Sequence, residues 1–334
     1  SQKLLDDRLS LFVGLRLDAT NYNDRMANPL RQLSPRLSAS WNVRDGWFVH
    51  ASAGRYFQLP PYLLMSFSDG SGTFVNRERL DYLRSHQAAV GIEHLTANGY
   101  AVKLEAFAKN YDRYPFLLLD SISYGNANAS YALLGNQPAD MRSRGRARGI
   151  EFQIRQKLRK SWWWMLSYSY VLSQFTDKEG NYRSSAWDNR HFGHVAVAKT
   201  FRGGWQVGAH YVFTGGNPWT PYDLALSSRR DVWDVNRRGL PDYDRLNEAR
   251  LPAIHQLDIR VDKQWNFRRW TLTLFLDVQN ATAAPIPLLP YLTVERDAQG
   301  QPLPDPDDPT SYQTKIIESD TGRRLPTLGL IADF

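Results

Sequence analysis

The sequence predicts an all-β protein, an antiparallel transmembrane β-barrel of about 12 strands. Three observations carry that prediction. Residues 254–279 alternate between apolar and polar positions through two successive runs. Aromatic residues crowd the short connections. Long and short connections alternate along the chain, which gathers the long loops at one end.

The alternation is clearest in the hairpin of residues 254–279. Leu257, Ile259, Val261, Trp265 and Phe267 fall on one parity, and Gln256, Asp258, Arg260, Asp262 and Gln264 on the other, with Lys263 alone interrupting the apolar set. After a tight turn at residues 266–269, Trp270, Leu272, Leu274, Leu276 and Val278 oppose Thr271, Thr273, Asp277 and Gln279. Phe275 is the one apolar residue on the polar side. A period of two is the side-chain period of a strand, so this is a hairpin with one apolar and one hydrated face. Trp265, Phe267 and Trp270 sit at its turn, where a membrane strand keeps its interfacial aromatics. Lys263, beside them, is placed to snorkel to lipid headgroups.

Taken in order, the rest of the chain repeats this unit. Residues 9–19 form a first strand, a polar loop with Asn21, Asn23 and Asn28 follows, and residues 33–43 return to the turn Arg44, Asp45, Gly46. Trp47, Val49, Ala51 and Ala53 share a parity opposite His50 and Ser52. A long loop with Pro60, Pro61, Gly70 and Gly72 leads to a strand at 85–95 and a turn at 96–99. Tyr100, Val102, Leu104, Ala106 and Ala108 then face away from Lys103 and Glu105. A second long loop carries Tyr124 and Asn126 and ends in the arginine cluster Arg142, Arg144, Arg146 and Arg148. Ile150, Phe152 and Ile154 alternate with Glu151, Gln153, Arg155 and Lys157, and Trp162, Trp163 and Trp164 open the returning strand. Strands at 190–201 and from Trp205 through Phe213 flank the turn 202–204. The opening hairpin, a loop at 280–322 and a final strand at 323–334 complete twelve strands, six long loops and five short turns. Trp47, Tyr100, Trp162, Trp205 and Trp270 each follow a short turn, as an interfacial girdle requires.

Composition narrows the classes. The chain has no cysteine, which removes disulfides, thiolate metal sites and cysteine nucleophiles. Mean hydropathy is −0.50, and no apolar run approaches the ~18 residues of a membrane helix. Barrel strands escape that test because only alternate residues are apolar. The net charge of +7 comes from basic residues spread over loops and polar strand faces rather than gathered in one arm, which argues against nucleic acid. Residues 1–8 are polar and charged, so no signal peptide is expected in this chain. A soluble β-sandwich with the same strand count would need a second sheet over the apolar face and very long loops at one end only.

Several short motifs, in their order, carry a family resemblance. Phe334 shares its parity with Ala332, Leu330 and Leu328. Arg250, Leu251 and Pro252 precede the Leu257 strand, and Leu276, Asp277, Val278, Gln279 and Asn280 close the hairpin. Residues 215–222 read Gly-Gly-Asn-Pro-Trp-Thr-Pro-Tyr. Asp188 with Arg190 and His191, Gly149 with Ile150 and Glu151, and Ser34, Pro35 and Arg36 complete the set. With these, the chain resembles the C-terminal part of the barrel of TonB-dependent outer-membrane receptors. The resemblance implies that residues 1–334 are part of a barrel of about 22 strands, whose N-terminal plug and first strands, roughly ten, lie outside this chain. It also implies a bacterial outer-membrane location, lipids and lipopolysaccharide as neighbours, the TonB complex as a partner through the plug region, and import of a scarce, bulky nutrient. Siderophore, cobalamin, oligosaccharide and peptide all fit. The alternatives are a self-contained passive porin of twelve strands and a barrel hydrolase.

Catalytic motifs are lacking: no G-x-S-x-G, no P-loop and no H-E-x-x-H occurs. His191 and His194 have a metal-like spacing, yet three residues apart on a strand point to opposite faces. Asp305, Asp307 and Asp308, set among Pro304, Pro306 and Pro309, read as an acidic loop. No enzymatic activity and no cofactor is expected. Ligand contacts are expected from loop aromatics able to stack: Tyr56, Tyr62, Tyr124, Trp219, Tyr222 and Trp233. The charged set Lys103, Glu105, Glu151, Arg155, Asp258, Arg260 and Asp262 would, by the resemblance, face the plug. Arg142, Arg144, Arg146 and Arg148, with Arg229, Arg230, Arg237 and Arg238, suit an anionic ligand or lipopolysaccharide phosphates.

Overall fold

The structure, a computed structural model, describes residues 2–5, 7–127 and 136–334. Twelve long strands follow one another in a single antiparallel sheet: β1 (Leu9–Arg16), β2 (Ser34–Arg44), β3 (Trp47–Gln58), β4 (Leu83–Leu95), β5 (Tyr100–Leu117), β6 (Ala139–Arg159), β7 (Trp162–Thr176), β8 (Arg190–Phe201), β9 (Trp205–Thr214), β10 (Ile254–Asn266), β11 (Thr271–Gln279) and β12 (Leu325–Asp333). The short strand Gln2–Leu4 pairs with β1. This end of the sheet does not pair with β12 among the described residues, so the sheet is an open, curved-wall topology rather than a closed barrel. Among the described residues no helix is long and apolar enough to cross a membrane.

The twelve strands and the alternation of five short and six long connections match the sequence expectation. Strand boundaries differ in places: the first strand, expected over residues 9–19, ends at Arg16, and the largest shift is on β6. The arginine cluster 142–148, expected in a loop, lies on β6, which is 21 residues long. Its inward positions there are Ser143, Gly145 and Ala147, too small and polar to raise an apolar parity, so the pattern is invisible until the register is known.

Directly paired residues of an antiparallel sheet project to the same face. The register therefore extends each parity across the wall. Val102, Ile154, Leu166, Val195, Tyr211 and Leu257 form one continuous row over six strands. Val207, Val261, Leu276 and Leu328 form another. These rows stay open: Val195 is 41% exposed, Leu276 44% and Leu328 72%. An apolar face of this extent has no covering layer among the described residues and matches a hydrocarbon environment.

The short-turn end carries the aromatic girdle. Trp270 stacks on Phe267 at 4.3 Å and on Phe334 at 6.1 Å. The Lys199 ammonium lies 4.5 Å from the Trp162 ring, and that of Lys263 lies 5.3 Å from Trp205 and 5.4 Å from Trp265. Lys263 also donates to the Gly203 carbonyl, so it turns toward the end of the wall. Near the other end of the apolar band, two tyrosine–histidine pairs repeat the motif: Tyr168 with His191 and Tyr211 with His255, each with Oη and Nδ1 at 2.7 Å.

A single-layer sheet has no interior of its own, and the buried apolar core lies among the long loops. Met26, Leu64, Met65, Leu80, Leu117, Ile122, Ala127 and Leu246, from four different connections or their strand ends, pack with Phe57, Tyr82 and Ala139. Side-chain amides tie these loops to one another. Asn76 Nδ2 donates to the Leu64 and Gln137 carbonyls at 2.8 and 3.0 Å while its Oδ1 accepts from Ala139 N. Asn247 Nδ2 donates to the carbonyls of Asn126 and Ser184, in two other loops.

Candidate ligand-binding site

The face opposite the apolar rows changes character along its length. Near the short turns it is charged. Lys103 and Glu105 on β5 form an ion pair at 2.9 Å, and Glu105 is the direct cross-strand partner of Glu151 on β6. Glu151 and Arg155 are exposed, with no ion pair among the described residues. On β10, Arg260 Nη2 contacts Asp262 Oδ1 at 2.8 Å, and its guanidinium covers the Phe275 ring at 4.1 Å. Asp258 accepts from Asn280 N and from Gln256 Nε2, both at 2.9 Å. All seven charged positions singled out in the sequence thus fall on the inner face.

Toward the long loops the same face becomes aromatic. The register lines up Tyr56, Ser85, Tyr111, Gly145 and Phe175 as consecutive partners across β3 to β7. Small residues alternate with rings, and this spacing is what admits the rings. A Cβ added to Gly145 would collide with the Phe175 ring. Phe175 contacts Tyr111 at 5.5 Å, Tyr114 at 4.4 Å and Trp187 at 6.4 Å between ring centroids. Trp187 is 53% exposed, while Phe175 beneath it is buried. Cations flank the row: the Arg36 guanidinium lies 4.6 Å over the Tyr56 ring, and Lys109 is on the parity of Tyr111.

The six aromatics expected to stack on ligand are dispersed. Tyr56 lies on β3 rather than in the following loop, and belongs to the aromatic row. Tyr124 N donates to the Pro115 carbonyl at 2.9 Å, which sets Tyr124 beside Tyr114. Burial raises the Tyr124 pKa, so its phenol is neutral at physiological pH. Tyr62 projects from a short helix and is 76% exposed. Trp219 and Tyr222 form a tilted pair at 6.1 Å, with Tyr222 Oη donating to the Pro290 carbonyl at 2.9 Å. Trp233 is buried at 2% exposure, the buried residue of the helix Arg230–Asn236. Tyr111, Phe175 and Trp187 escape sequence reasoning: their partnership spans strands and only the register reveals it.

His191 and His194 project to opposite faces. His191 meets Tyr168 on the outer face, and His194 stacks on His210 at 5.8 Å on the inner one.

The loop end is held by a buried carboxylate. Asp188, 1% exposed, accepts from Arg250 Nη2 at 2.7 Å, Ser184 Oγ at 2.8 Å and Ser173 N at 2.9 Å. Tyr243 packs against the loop core, and burial, reinforced by the Asp120 charge, pushes its phenol up to about 12. These loop phenols are therefore hydrogen-bond donors rather than anions near neutral pH.

The wall thus has an open apolar face, an opposite face that is charged and then aromatic, and long loops at one end. The family model of the TonB-dependent receptor-like β-barrel matches residues 2–281. The chain belongs to the TonB-dependent receptor β-barrel family. This receptor chain is accordingly a bacterial outer-membrane protein. No curated protein matches its sequence. Among solved structures it is similar to the ferripyoverdine receptor of the outer membrane of Pseudomonas aeruginosa bound to ferripyoverdine. That match has 16% identity and a TM-score of 0.58, and covers 98% of this chain and 36% of that one. The outer-membrane transporter YddB from Escherichia coli matches at 10% identity and a TM-score of 0.60, over 98% of this chain and 43% of that one. The ferric citrate transporter FecA in its unliganded form matches at 15% identity and a TM-score of 0.53, over 90% and 38%. The receptor chain thus spans well under half the length of the structures it matches.

Proposed function

We propose that this chain is the C-terminal wall and loop set of a TonB-dependent importer, and that its cargo is a metal chelate of the ferric siderophore or ferric citrate kind. The observation that carries the cargo class is the row of Tyr56, Tyr111 and Phe175 with exposed Trp187, flanked by Arg36 and Lys109. Aromatic faces bind planar ligand rings, and nearby cations favour an anionic chelate. The solved neighbours that name ferripyoverdine and ferric citrate support the same class. Long loops on a rigid strand scaffold are where such contacts are expected.

The remaining parts of the receptor follow in the same proposal. The charged inner wall from Lys103 to Asp262 faces a plug, the full barrel has about 22 strands, and TonB supplies energy through the plug region. The test is binding to the full-length receptor in detergent, followed by tryptophan fluorescence with a panel of ferric chelates, cobalamin and oligosaccharides. Saturable quenching by a ferric chelate, weakened about tenfold in Trp187→Ala, a loss of about 1.4 kcal/mol, is expected. Binding of cobalamin or an oligosaccharide in place of every chelate would overturn the cargo class.

A further inference from the structure

Along the sequence the basic residues are dispersed, but the strand order gathers one group of them. The short turns β6–β7, β8–β9 and β10–β11 are successive neighbours on the rim of the wall, about 10 Å from one turn to the next. Residues 157–161, 199–204 and 263–269 hold eight basic residues and no acidic one. These three turns account for the whole formal charge of +7, and the rest of the chain is close to neutral. The other short turns differ: Arg44 is balanced by Asp45, and residues 96–99 carry no charge.

The three turns form one hydrogen-bonded edge. Thr200 N donates to the Ser161 carbonyl at 2.8 Å, and Gln264 N to the Gly204 carbonyl at 2.7 Å. Along this edge the charges divide. Lys199 and Lys263 lie over Trp162 and Trp205 and belong to the girdle. Lys160, Arg202, Arg268 and Arg269 are exposed at the tips that close the hairpins, and none of them forms an ion pair among the described residues. Of the acids next to these turns, Asp262 is engaged by Arg260, and Asp333 accepts from Thr271 Oγ1 at 3.5 Å. Lys160 is also strained. Its φ is 48° and that of Ser161 is 70°, the left-handed pair of a two-residue hairpin turn in which Asn-Gly is the favoured sequence. A lysine kept at such a position points to a use for its charge.

Short turns of outer-membrane barrels face the periplasm. We propose that Lys160, Arg202, Arg268 and Arg269 form a docking edge for an extended periplasmic polyanion, the carboxylate-bearing peptide stems of peptidoglycan. Charge complementarity along a line of about 20 Å selects a polymer with repeated carboxylates, each contact weak and the set multivalent. A folded acidic protein needs an apolar centre to its interface. The rings nearest these turns, Trp162, Trp205 and Trp270, stand on the membrane-facing parity and are engaged in the girdle. Lipid headgroups meet Lys199 and Lys263, on the membrane side of the same edge. The proposal rests on the orientation of the barrel and is independent of the imported cargo.

Co-sedimentation of the detergent-solubilised full-length receptor with purified sacculi tests it. The wild type should sediment with them, and K160Q/R202Q/R268Q/R269Q should bind at least tenfold more weakly with its cargo affinity unchanged. The wild type should not bind sacculi whose carboxylates have been amidated, and should be released at roughly 1 M salt, which screens charges beyond ~3 Å. Equal sedimentation of the two receptors, or equal binding to native and amidated sacculi, would overturn the proposal, as would binding to anionic phospholipid vesicles but not to sacculi. If the quadruple variant loses its heat-resistant folded form, the comparison of native with amidated sacculi on the wild type decides alone.

Discussion

Asp188 and Arg250 lie 62 positions apart, yet the Asp188 carboxylate and backbone carbonyl both accept from the Arg250 guanidinium, at 2.7 and 2.5 Å. Nη1, which donates to the Asp188 carbonyl, also donates to the Gly216 carbonyl at 3.1 Å. One arginine thus joins the loop before β8 to both ends of the loop before β10. Trp187, the exposed ring of the aromatic row, is the residue immediately before this tie.

Removing one partner of a buried pair leaves the other uncompensated, at a cost of about 3–5 kcal/mol. Arg250→Ala should release the 177–189 and 215–253 loops without unfolding the strands, because stability is distributed locally. Limited proteolysis should cut these loops faster, with the heat-resistant barrel retained. Loop cleavage at the wild-type rate would show that Arg250 ties nothing.

Gly145→Ala places a methyl group into the Phe175 ring. Phe175 has Tyr114 and Tyr111 on its other sides, so the ring must tilt and Trp187 shift with it. Overpacking of this kind costs about 1–3 kcal/mol. Ligand affinity should fall at least tenfold while the heat-resistant folded form is retained, as titration of the purified full-length receptor would show.

Glu151 lies beside the like charge of Glu105, and only Glu105 has a lysine partner. Directly opposed like charges are unfavourable. A plug facing this wall is therefore expected to supply a cation to Glu151. Glu151→Gln in the full-length receptor should remove roughly 1.5–3 kcal/mol of plug docking, read as faster proteolysis of the plug with the barrel intact. Unchanged plug proteolysis contradicts a contact at this position.

Asp177 organises its turn by accepting from Glu179 N at 3.0 Å, Asn181 N at 2.8 Å and Arg183 Nε at 3.0 Å. Partial burial pushes its pKa up, but the Arg183 hydrogen bond, the two N–H groups and the Arg183 charge outweigh that and hold it below the ordinary carboxylate value. A depressed folded pKa stabilises the turn fully above the unfolded value of about 3.9 and loses that contribution as pH falls through the folded value. Hydrogen exchange at Asn181 should therefore be flat from pH 7 to 5, once corrected for intrinsic rates, and lose protection only below about 4. Lost protection already near pH 6 would assign the turn to another group.

The strands were legible because each membrane-facing parity is apolar and each short turn is marked by an aromatic, as at Trp162, Trp205 and Trp270. The upper part of β6 was not, since before Ile150 one parity carries Arg144, Arg146 and Arg148 and the other Ser143, Gly145 and Ala147, so no alternation of apolar with polar residues marks it. The charged inner wall followed from parity alone. The aromatic row did not, because Tyr56, Tyr111 and Phe175 become neighbours only through the register of five strands. Trp233 was misplaced for a related reason: loop packing has no period, so a buried and an exposed loop tryptophan read alike.

The assignment of β6 faces underlies the membrane wall and the ligand side together. This chain contains no cysteine, so the assignment is directly measurable once any cysteine elsewhere in the full-length receptor is replaced. Single cysteines placed at positions 144–155 of the full-length receptor in outer membranes can be probed with an aqueous maleimide and a lipid-soluble quencher. Cysteines replacing Ile150, Phe152 and Ile154 should be quenched from the lipid and shielded from the maleimide, and those replacing Glu151, Gln153 and Arg155 should show neither lipid quenching nor its period. Equal lipid quenching at both parities, or quenching confined to positions 151, 153 and 155, would contradict the account.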